Sequence, residues 1–186
     1  MGLTSNIDID ITRLINGVAG QNPLLDTAMV WISAGGIPLL VLAVACQWWA
    51  KADRQDTRHV LVQAGFAFFL GLGFNQIILL FVDRVRPFAA GISDLLIAPS
   101  LDPSFPSDHA TAAFAIAVIF AVSNMPKRAV WFGLAAVTIA ISRVYVGTHY
   151  ASDVLGGALT GAFAAALLPS LYVRGTRVDR FITSIF

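Results

Sequence analysis

Three short polar stretches of this chain stand at the ends of long apolar runs, where charged side chains are unusual. They are Arg86-Pro87, Ser107-Asp108-His109, and Ser142-Arg143 followed by His149 and Asp153. A planar guanidinium group offers several N–H donors that suit phosphate oxygens. An imidazole is able to act as a nucleophile or to transfer a proton. These residue types together predict a site that handles a phosphate group.

His149 and Asp153 have the spacing of an interacting pair. Residues four apart at the start of a helix lie on one face, so the carboxylate is able to reach the ring. A carboxylate on one imidazole nitrogen fixes the tautomer and leaves the other nitrogen free as a nucleophile. Ser107 precedes an apolar helical run and is a predicted N-cap. The backbone N–H groups that follow it, near Asp108 and His109, favour an anion.

The composition predicts that lipid surrounds most of this protein. Of its 186 residues, 57% are hydrophobic and 12% are charged, whereas a soluble domain has about 25% charged residues. The net charge of +1 is too small to indicate a nucleic acid partner. Cys46 is the only cysteine, which excludes a disulfide within one chain, and we interpret it as a buried, inert thiol.

The apolar runs that position the polar stretches predict five transmembrane helices. A helix of about 20 residues crosses a hydrocarbon core of about 30 Å. The predicted spans are residues 27–50, 60–82, 107–125, 126–146 and 154–173. The chain is therefore predicted to be an all-α, polytopic membrane helix bundle that forms a single domain over residues 1–186.

The segment of residues 6–20 differs from these runs, because isoleucine, leucine and valine alternate with charged and amide side chains. This pattern predicts an N-terminal amphipathic helix that lies on the membrane surface. A sixth span is the less favoured interpretation, since the charges interrupt the apolar run.

The basic residues predict the orientation of the helices in the membrane. Connections on one side carry eight of them, and the polar stretches share the other side with four. The eight are Lys51, Arg54, Arg58, Lys127, Arg128, Arg174, Arg177 and Arg180. Since basic loops remain in the cytoplasm, we expect a bacterial cytoplasmic membrane protein whose polar cluster lies on the outer face.

The three stretches together resemble the signature of the type 2 phosphatidic acid phosphatase superfamily. Its third block, Ser-Arg–five residues–His–three residues–Asp, is complete from Ser142 to Asp153. Its Pro-Ser-Gly-His block is present with Asp108 in the glycine position. Its Lys–six residues–Arg-Pro block ends in Arg86-Pro87 but has Leu79 in the lysine position. Within the superfamily, residues 105–109 and 22–26 resemble the bacitracin-resistance type of undecaprenyl-pyrophosphate phosphatase.

The resemblance implies a lipid phosphatase that needs neither a metal nor another cofactor. His149 would attack the terminal phosphorus while Asp153 holds it, and His109 would protonate the leaving oxygen and then activate water. The phosphate oxygens would be bound by Arg86, Arg143, Ser107 and the backbone at Asp108. The missing lysine leaves one cation unassigned, and Arg84 is a possible substitute for it.

The substrate implied by the resemblance is undecaprenyl pyrophosphate, which is converted to undecaprenyl phosphate during recycling of the carrier lipid for cell-wall synthesis. Phosphatidate or phosphatidylglycerophosphate remains an alternative substrate, since an apolar groove for the tail is built from interchangeable residues. A small lipid transporter and a metal-dependent hydrolase are further alternatives. The expected partners are thus a polyprenyl pyrophosphate or phospholipid substrate and membrane lipid, and the sequence leaves the oligomeric state open.

Overall fold

The computed structural model describes residues 3–50 and 53–185, so Lys51, one of the basic residues counted above, lies outside it. Seven α-helices lie within the described residues, and the predicted all-α class is confirmed. The helices are α1 (Leu3–Asn16), α2 (Pro23–Cys46), α3 (Arg54–Leu79), α4 (Asp108–Val122), α5 (Pro126–Tyr145), α6 (Ala151–Leu171) and α7 (Arg177–Thr183). A 3₁₀ turn, Gln47–Trp49, extends α2.

Four of the described helices are long and apolar enough to cross a membrane, namely α2 with its 3₁₀ extension, α3, α5 and α6. The helix α4 is apolar but has only 15 residues, which is about 22 Å at 1.5 Å per residue. It tolerates this length because protein, rather than lipid, surrounds it. The predicted multi-pass membrane bundle is confirmed, and its short third member is the central helix.

The helix α4 forms the core of the bundle and packs against α3, α5 and α6. Ile119 and Phe120 on α4 are completely buried. Glycines on α6 allow its backbone to approach α4 closely. A Cβ atom on Gly157 would lie 2.4 Å from the carbonyl oxygen of Ser107, and one on Gly161 would lie 2.2 Å from that of Thr111. Side chains at these two positions would therefore push α4 and α6 apart.

The first turn of α4 lies about one helical turn deeper than the neighbouring helix ends. The amide N–H of Ser107 donates to the carbonyl oxygen of Asp153, inside α6 rather than at its first residue. The amide of Asn75, four residues before the end of α3, donates to Asp108 and Thr111 on α4. The ends of α3 and α6 therefore form a rim above the start of α4.

The amphipathic helix predicted in residues 6–20 is present as α1. One face carries the exposed apolar side chains Ile7, Ile11 and Leu14. The other face carries Thr12 and Asn16, which are buried against α5 and α6. The helix thus presents its apolar face outward and its polar face to the protein, as expected for a helix at a membrane surface.

The opposite end of the bundle is closed by α7. His59 Nδ1 on α3 lies 2.8 Å from Asp179 Oδ1 on α7, and both side chains are buried. Arg58 Nη1 donates to the carbonyl oxygen of Thr183 over 2.8 Å. Cys46, which the sequence predicts to be buried, is exposed, because it lies about 200° around the helix from Val44, which faces the core.

Candidate active site

The residues of the three polar stretches meet at one end of the bundle. Ser107 is the N-cap of α4, and Arg143 lies in the last turn of α5. His149 lies in the short connection between α5 and α6, and Asp153 lies in the first turn of α6. Arg86 comes from the long connection between α3 and α4. Five separate segments therefore bring the predicted site residues to one place.

The ring of His149 is fixed between a backbone carbonyl and a guanidinium group. Its Nδ1 lies 2.8 Å from the carbonyl oxygen of Ser104 and 3.6 Å from Asp153 Oδ2. Its Nε2 lies 3.4 Å from Arg86 Nη1. A carbonyl oxygen only accepts hydrogen bonds, so Nδ1 carries the proton and Nε2 presents its lone pair. The nitrogen that is free to attack phosphorus thus faces the guanidinium group that would hold the phosphate.

The environment of His149 favours its neutral form. Burial lowers the pKa of the imidazole, and this effect exceeds the opposing effect of the nearby Asp153 carboxylate. The positive charges of Arg143 and Arg86 lower the pKa further. Since a nucleophilic imidazole must be unprotonated, the surroundings keep the ring ready for attack.

Asp153 is completely buried and has a hydrogen-bond partner on each carboxylate oxygen. Its Oδ2 accepts from Ser104 Oγ at 2.6 Å and from the amide N–H of Tyr150 at 2.8 Å. Its Oδ1 accepts from Arg84 Nη1 at 2.6 Å. The guanidinium group of Arg84 therefore neutralises this carboxylate and is not directed at a phosphate, as the substitution for the missing lysine would require.

The guanidinium group of Arg86 is held by the loop that precedes α4. Its Nε and Nη2 donate to the carbonyl oxygen and the carboxylate of Asp102, both over 2.9 Å. Its Nη1 donates to the carbonyl oxygen of Thr148 at 2.9 Å. The Asp102 side chain is 59% exposed, so its contact with Arg86 is open to exchange with another anion. These contacts aim Nη1 at His149.

Two buried polar atoms near these groups have no hydrogen-bond partner in the part of the chain that the structure describes. They are Ser107 Oγ and Arg143 Nε. Arg143 Nη1, in contrast, donates to Ser33 Oγ on α2. Buried donors without partners are rare in folded proteins and indicate a position that a ligand or water completes. Both atoms are suited to bind a phosphate oxygen.

His109 and Asp108 begin α4 and differ in their surroundings. The groups that act electrostatically on His109 are Arg143, His149 and Arg86, which places its ring at the same site. The carboxylate of Asp108 accepts from Asn75 Nδ2 at 2.6 Å and is tied to α3. Its contribution to a phosphate site is therefore the backbone N–H at the helix start, rather than its side chain.

Sequence reasoning missed the residues that orient the catalytic groups. Asp102, Ser104 and Asn75 lie outside the three polar stretches from which the sequence predicts the site. The four prolines of residues 83–106 mark this loop as ordered, but no spacing within it indicates that a carbonyl at Ser104 meets His149. In residues 3–50 and 53–185, no group of three or more His, Cys, Asp or Glu side chains is arranged to hold a metal ion.

Comparison with protein families agrees with this geometry. The model of the PAP2 superfamily matches residues 60–177, which include all three polar stretches. The chain belongs to the PAP2 superfamily. The predicted family is thereby confirmed, and with it the class of enzyme, a phosphatase. The match begins in the second turn of α3 and therefore omits α1 and α2.

Two curated proteins and one crystal structure extend the comparison. Undecaprenyl-diphosphatase BcrC of Bacillus subtilis strain 168 is 36% identical over 157 residues, which are 81% of this chain and 76% of that protein. Phosphatidylglycerophosphatase B of the same strain is 34% identical over 178 residues, covering 87% and 80%. The crystal structure of a transmembrane PAP2 type phosphatidylglycerolphosphate phosphatase from Bacillus subtilis superposes with a TM-score of 0.70 at 24% identity, covering 95% of this chain and 90% of that one. This structure shares the fold of this PAP2 member.

Proposed function

We propose that this PAP2 member hydrolyses undecaprenyl pyrophosphate to undecaprenyl phosphate through a phosphohistidine intermediate. The observation that carries the mechanism is the ring of His149, whose Nδ1 is held by the Ser104 carbonyl and whose Nε2 faces Arg86. The similarity to undecaprenyl-diphosphatase BcrC over 81% of the chain supports the choice of substrate.

In the first step, the terminal phosphate binds to Arg86 and to the unpartnered donors on Arg143 and Ser107. The lone pair of His149 Nε2 attacks the phosphorus, and the bond from phosphorus to the bridging oxygen breaks. His109 gives its proton to that oxygen, so undecaprenyl phosphate leaves. Donors placed around the phosphoryl oxygens stabilise the charge in the transition state, which is the main requirement in phosphoryl transfer.

In the second step, His109 is neutral and takes a proton from a water molecule. The water oxygen attacks the phosphorus, the bond between phosphorus and Nε2 breaks, and inorganic phosphate forms. His149 returns to its neutral form with the proton still on Nδ1. Each step forms one bond to phosphorus and breaks one, and the proton on His109 is restored after each cycle.

The prenyl tail requires a long apolar surface, and α2 and α5 provide one. An open groove of about 840 Å³ runs between them from Trp31 to Ala43 on α2 and from Trp131 to Ile139 on α5. One end of the groove lies about one turn from Ser33 and Arg143, which are bonded to each other at the site. A tail in this groove would therefore place its head near the phosphate donors.

The position of the site in the cell follows from the basic residues. Arg54 and Lys127 lie in the first turns of α3 and α5, and Arg174 follows α6, all at the end of the bundle opposite His149. By the positive-inside rule this end faces the cytoplasm. We propose that the site opens on the outer face of the bacterial cytoplasmic membrane, where the pyrophosphate form of the carrier is released after polymer assembly.

The deciding experiment measures phosphate release by purified protein from undecaprenyl pyrophosphate and from phosphatidate, in the presence of a chelator. We expect faster release from undecaprenyl pyrophosphate and no release by His149→Ala. Substantial activity of a folded His149→Ala variant would exclude the nucleophile. Faster release from phosphatidate would assign the alternative substrate class, and loss of activity in the chelator would indicate a metal-dependent reaction.

A further inference from the structure

Side chains of α1 accept hydrogen bonds from the first N–H groups of α6. The first N–H groups of an α-helix have no acceptor within the helix. In α6, the amide N–H of Ala151 donates to Thr12 Oγ1 at 3.0 Å, and that of Ser152 donates to Asp8 Oδ1 at 2.8 Å. Both acceptors belong to α1, which is distant in sequence. The start of the helix that carries Asp153 is therefore fixed by the N-terminal helix.

One guanidinium group links α1 to the carboxylate of the active site. Arg84 Nη2 donates to Asp8 Oδ2 at 2.6 Å, and Nη1 donates to Asp153 Oδ1 at 2.6 Å. Nη1 also donates to Ser152 Oγ at 2.6 Å, and the guanidinium carbon lies 3.9 Å from the centre of the Tyr150 ring. With carboxylates on two sides and an aromatic ring on its face, Arg84 has one well-defined position.

The charge of Asp8 helps to hold Arg84, together with that of Asp153. Burial raises the pKa of the Asp8 carboxyl, but hydrogen bonds from Arg84 and Ser152 together lower it by more, so the group lies below its ordinary range and is ionised at neutral pH. Asp8 is 12% exposed in its side chain and Arg84 is 31% exposed. The pair is thus shielded from solvent on most sides, where a charge contact is stronger than at an open surface.

We propose that Asp8 and Arg84 are positioning residues of the phosphatase reaction. Asp8 fixes Arg84, Arg84 fixes and partly neutralises Asp153, and Asp153 in turn supports the ring of His149. The helix α1 thereby belongs to the catalytic apparatus, although the family match begins only at residue 60. This inference rests on the proposed reaction at His149 and assigns Arg84 a role other than phosphate binding.

The pH dependence of turnover distinguishes positioning by charge from mere structural support. The charged and titratable groups around His149 are Asp153, Arg143, Arg86 and His109, with Arg84 and Asp8 behind Asp153 and with Tyr150 and Asp102 nearby. Removing the negative charge of Asp8 makes the surroundings of His149 more positive, because Asp153 alone then balances the charge of Arg84, and this disfavours a proton on His149. Removing the positive charge of Arg84 has the opposite effect. The acid limb of the rate profile is the range of pH over which turnover falls as His149 gains a proton. The two changes should therefore move this limb in opposite directions along the pH axis.

The experiment compares Asp8→Asn and Arg84→Gln with wild type and with Asp10→Asn, using undecaprenyl pyrophosphate in detergent micelles. Asp10 lies on the same helix but is exposed, so it is the matched control. We expect kcat to fall by up to about 100-fold in both variants, since small misplacements of catalytic groups have effects of this size, while KM changes little. The acid limb should move to lower pH in Asp8→Asn and to higher pH in Arg84→Gln. Asp10→Asn should match wild type.

The inference would be overturned if both folded variants had the kcat of wild type. It would also be overturned if the two acid limbs stayed in place or moved in the same direction. If Arg84→Gln does not fold, Asp8→Asn alone tests the positioning role. Arg84→Lys keeps the positive charge, so its acid limb should stay near that of wild type. If wild type releases no phosphate from undecaprenyl pyrophosphate, the proposed substrate fails. The same variants are then compared on phosphatidate, so that the positioning role is tested separately.

Discussion

His149 is bonded more closely to Ser104 than to the carboxylate that its sequence motif pairs with it. The distance from Nδ1 to the Ser104 carbonyl oxygen is 2.8 Å, whereas that to Asp153 Oδ2 is 3.6 Å. A backbone carbonyl is present whatever the side chain at residue 104. The tautomer of the nucleophile is therefore set by the path of the main chain, and Asp153 contributes mainly charge.

This arrangement predicts that Asp153→Asn retains measurable turnover. In serine proteases, the equivalent change costs about 10⁴-fold because the ring adopts the wrong tautomer. Here the Ser104 carbonyl keeps the proton on Nδ1, so we expect a smaller loss in kcat. Single-turnover phosphate release by the folded variant, compared with His149→Ala, measures the difference. If Asp153→Asn were no more active than His149→Ala, the Ser104 carbonyl alone would not keep His149 functional.

The environment of His149 predicts the position of the acid limb. Its pKa is below the ordinary value of about 6.5, because burial disfavours the protonated ring. Attack requires the neutral form, and a lowered pKa keeps the ring neutral to a lower pH. Activity should therefore persist at pH 6 and decline only under more acidic conditions. A profile of kcat/KM against pH tests this, and a decline centred above 6.5 would contradict it.

The same profile should also decline on the alkaline side. The first step needs a protonated His109, so the rate falls once this ring loses its proton. His109→Gln removes the proton donor and should slow formation of phosphohistidine. Trapping the intermediate in rapid-quench experiments measures that step directly. An unchanged rate of intermediate formation in this variant would remove His109 from the mechanism.

The contact between α4 and α6 predicts that Gly157→Ala is destabilising. A methyl group at this position would meet the carbonyl oxygen of Ser107 at 2.4 Å, and backbone cannot move aside as a flexible side chain does. Overpacking of this kind costs about 1–3 kcal/mol. Gly65→Ala is the control, because no atom lies within 4 Å of the added methyl group. Thermal unfolding in detergent should show a lower midpoint for Gly157→Ala alone.

The proposed orientation is tested by cysteine labelling in a Cys46→Ala background. Leu101 is fully exposed in the connection that carries the site, and Gln55 is exposed at the opposite end of the bundle. An impermeant thiol reagent applied to intact spheroplasts should label Leu101→Cys and leave Gln55→Cys unlabelled. Lysis should make both accessible. Labelling of Gln55→Cys but not of Leu101→Cys in intact spheroplasts would show that the protein has the opposite orientation in the membrane.

The sequence predicts the spans and the site residues because each depends on a local pattern. Apolar runs determine the helices, and the spacing of His149 and Asp153 predicts both at the start of one helix. In the structure only Asp153 lies in the first turn of α6, and His149 lies in the connection just before it. The roles of Ser104 and Asp102 depend on how the loop before α4 folds over the site, which no periodicity encodes. Asp8 lies 145 residues before Asp153 in the sequence, and only the packing of α1 on α6 brings the two together.

The first turn of α4 lies below the ends of its neighbouring helices, and this position affects which lipid head groups reach the site. This turn starts about one helical turn, or about 5 Å, beneath the ends of α3 and α6. A terminal phosphate carries no further group and is able to reach Ser107 below these helix ends. A phosphate that still carries a sugar brings a bulky group against the same helix ends, which would hold it away from Ser107. On the proposed function, we therefore expect the enzyme to spare a prenyl carrier whose pyrophosphate still carries a sugar.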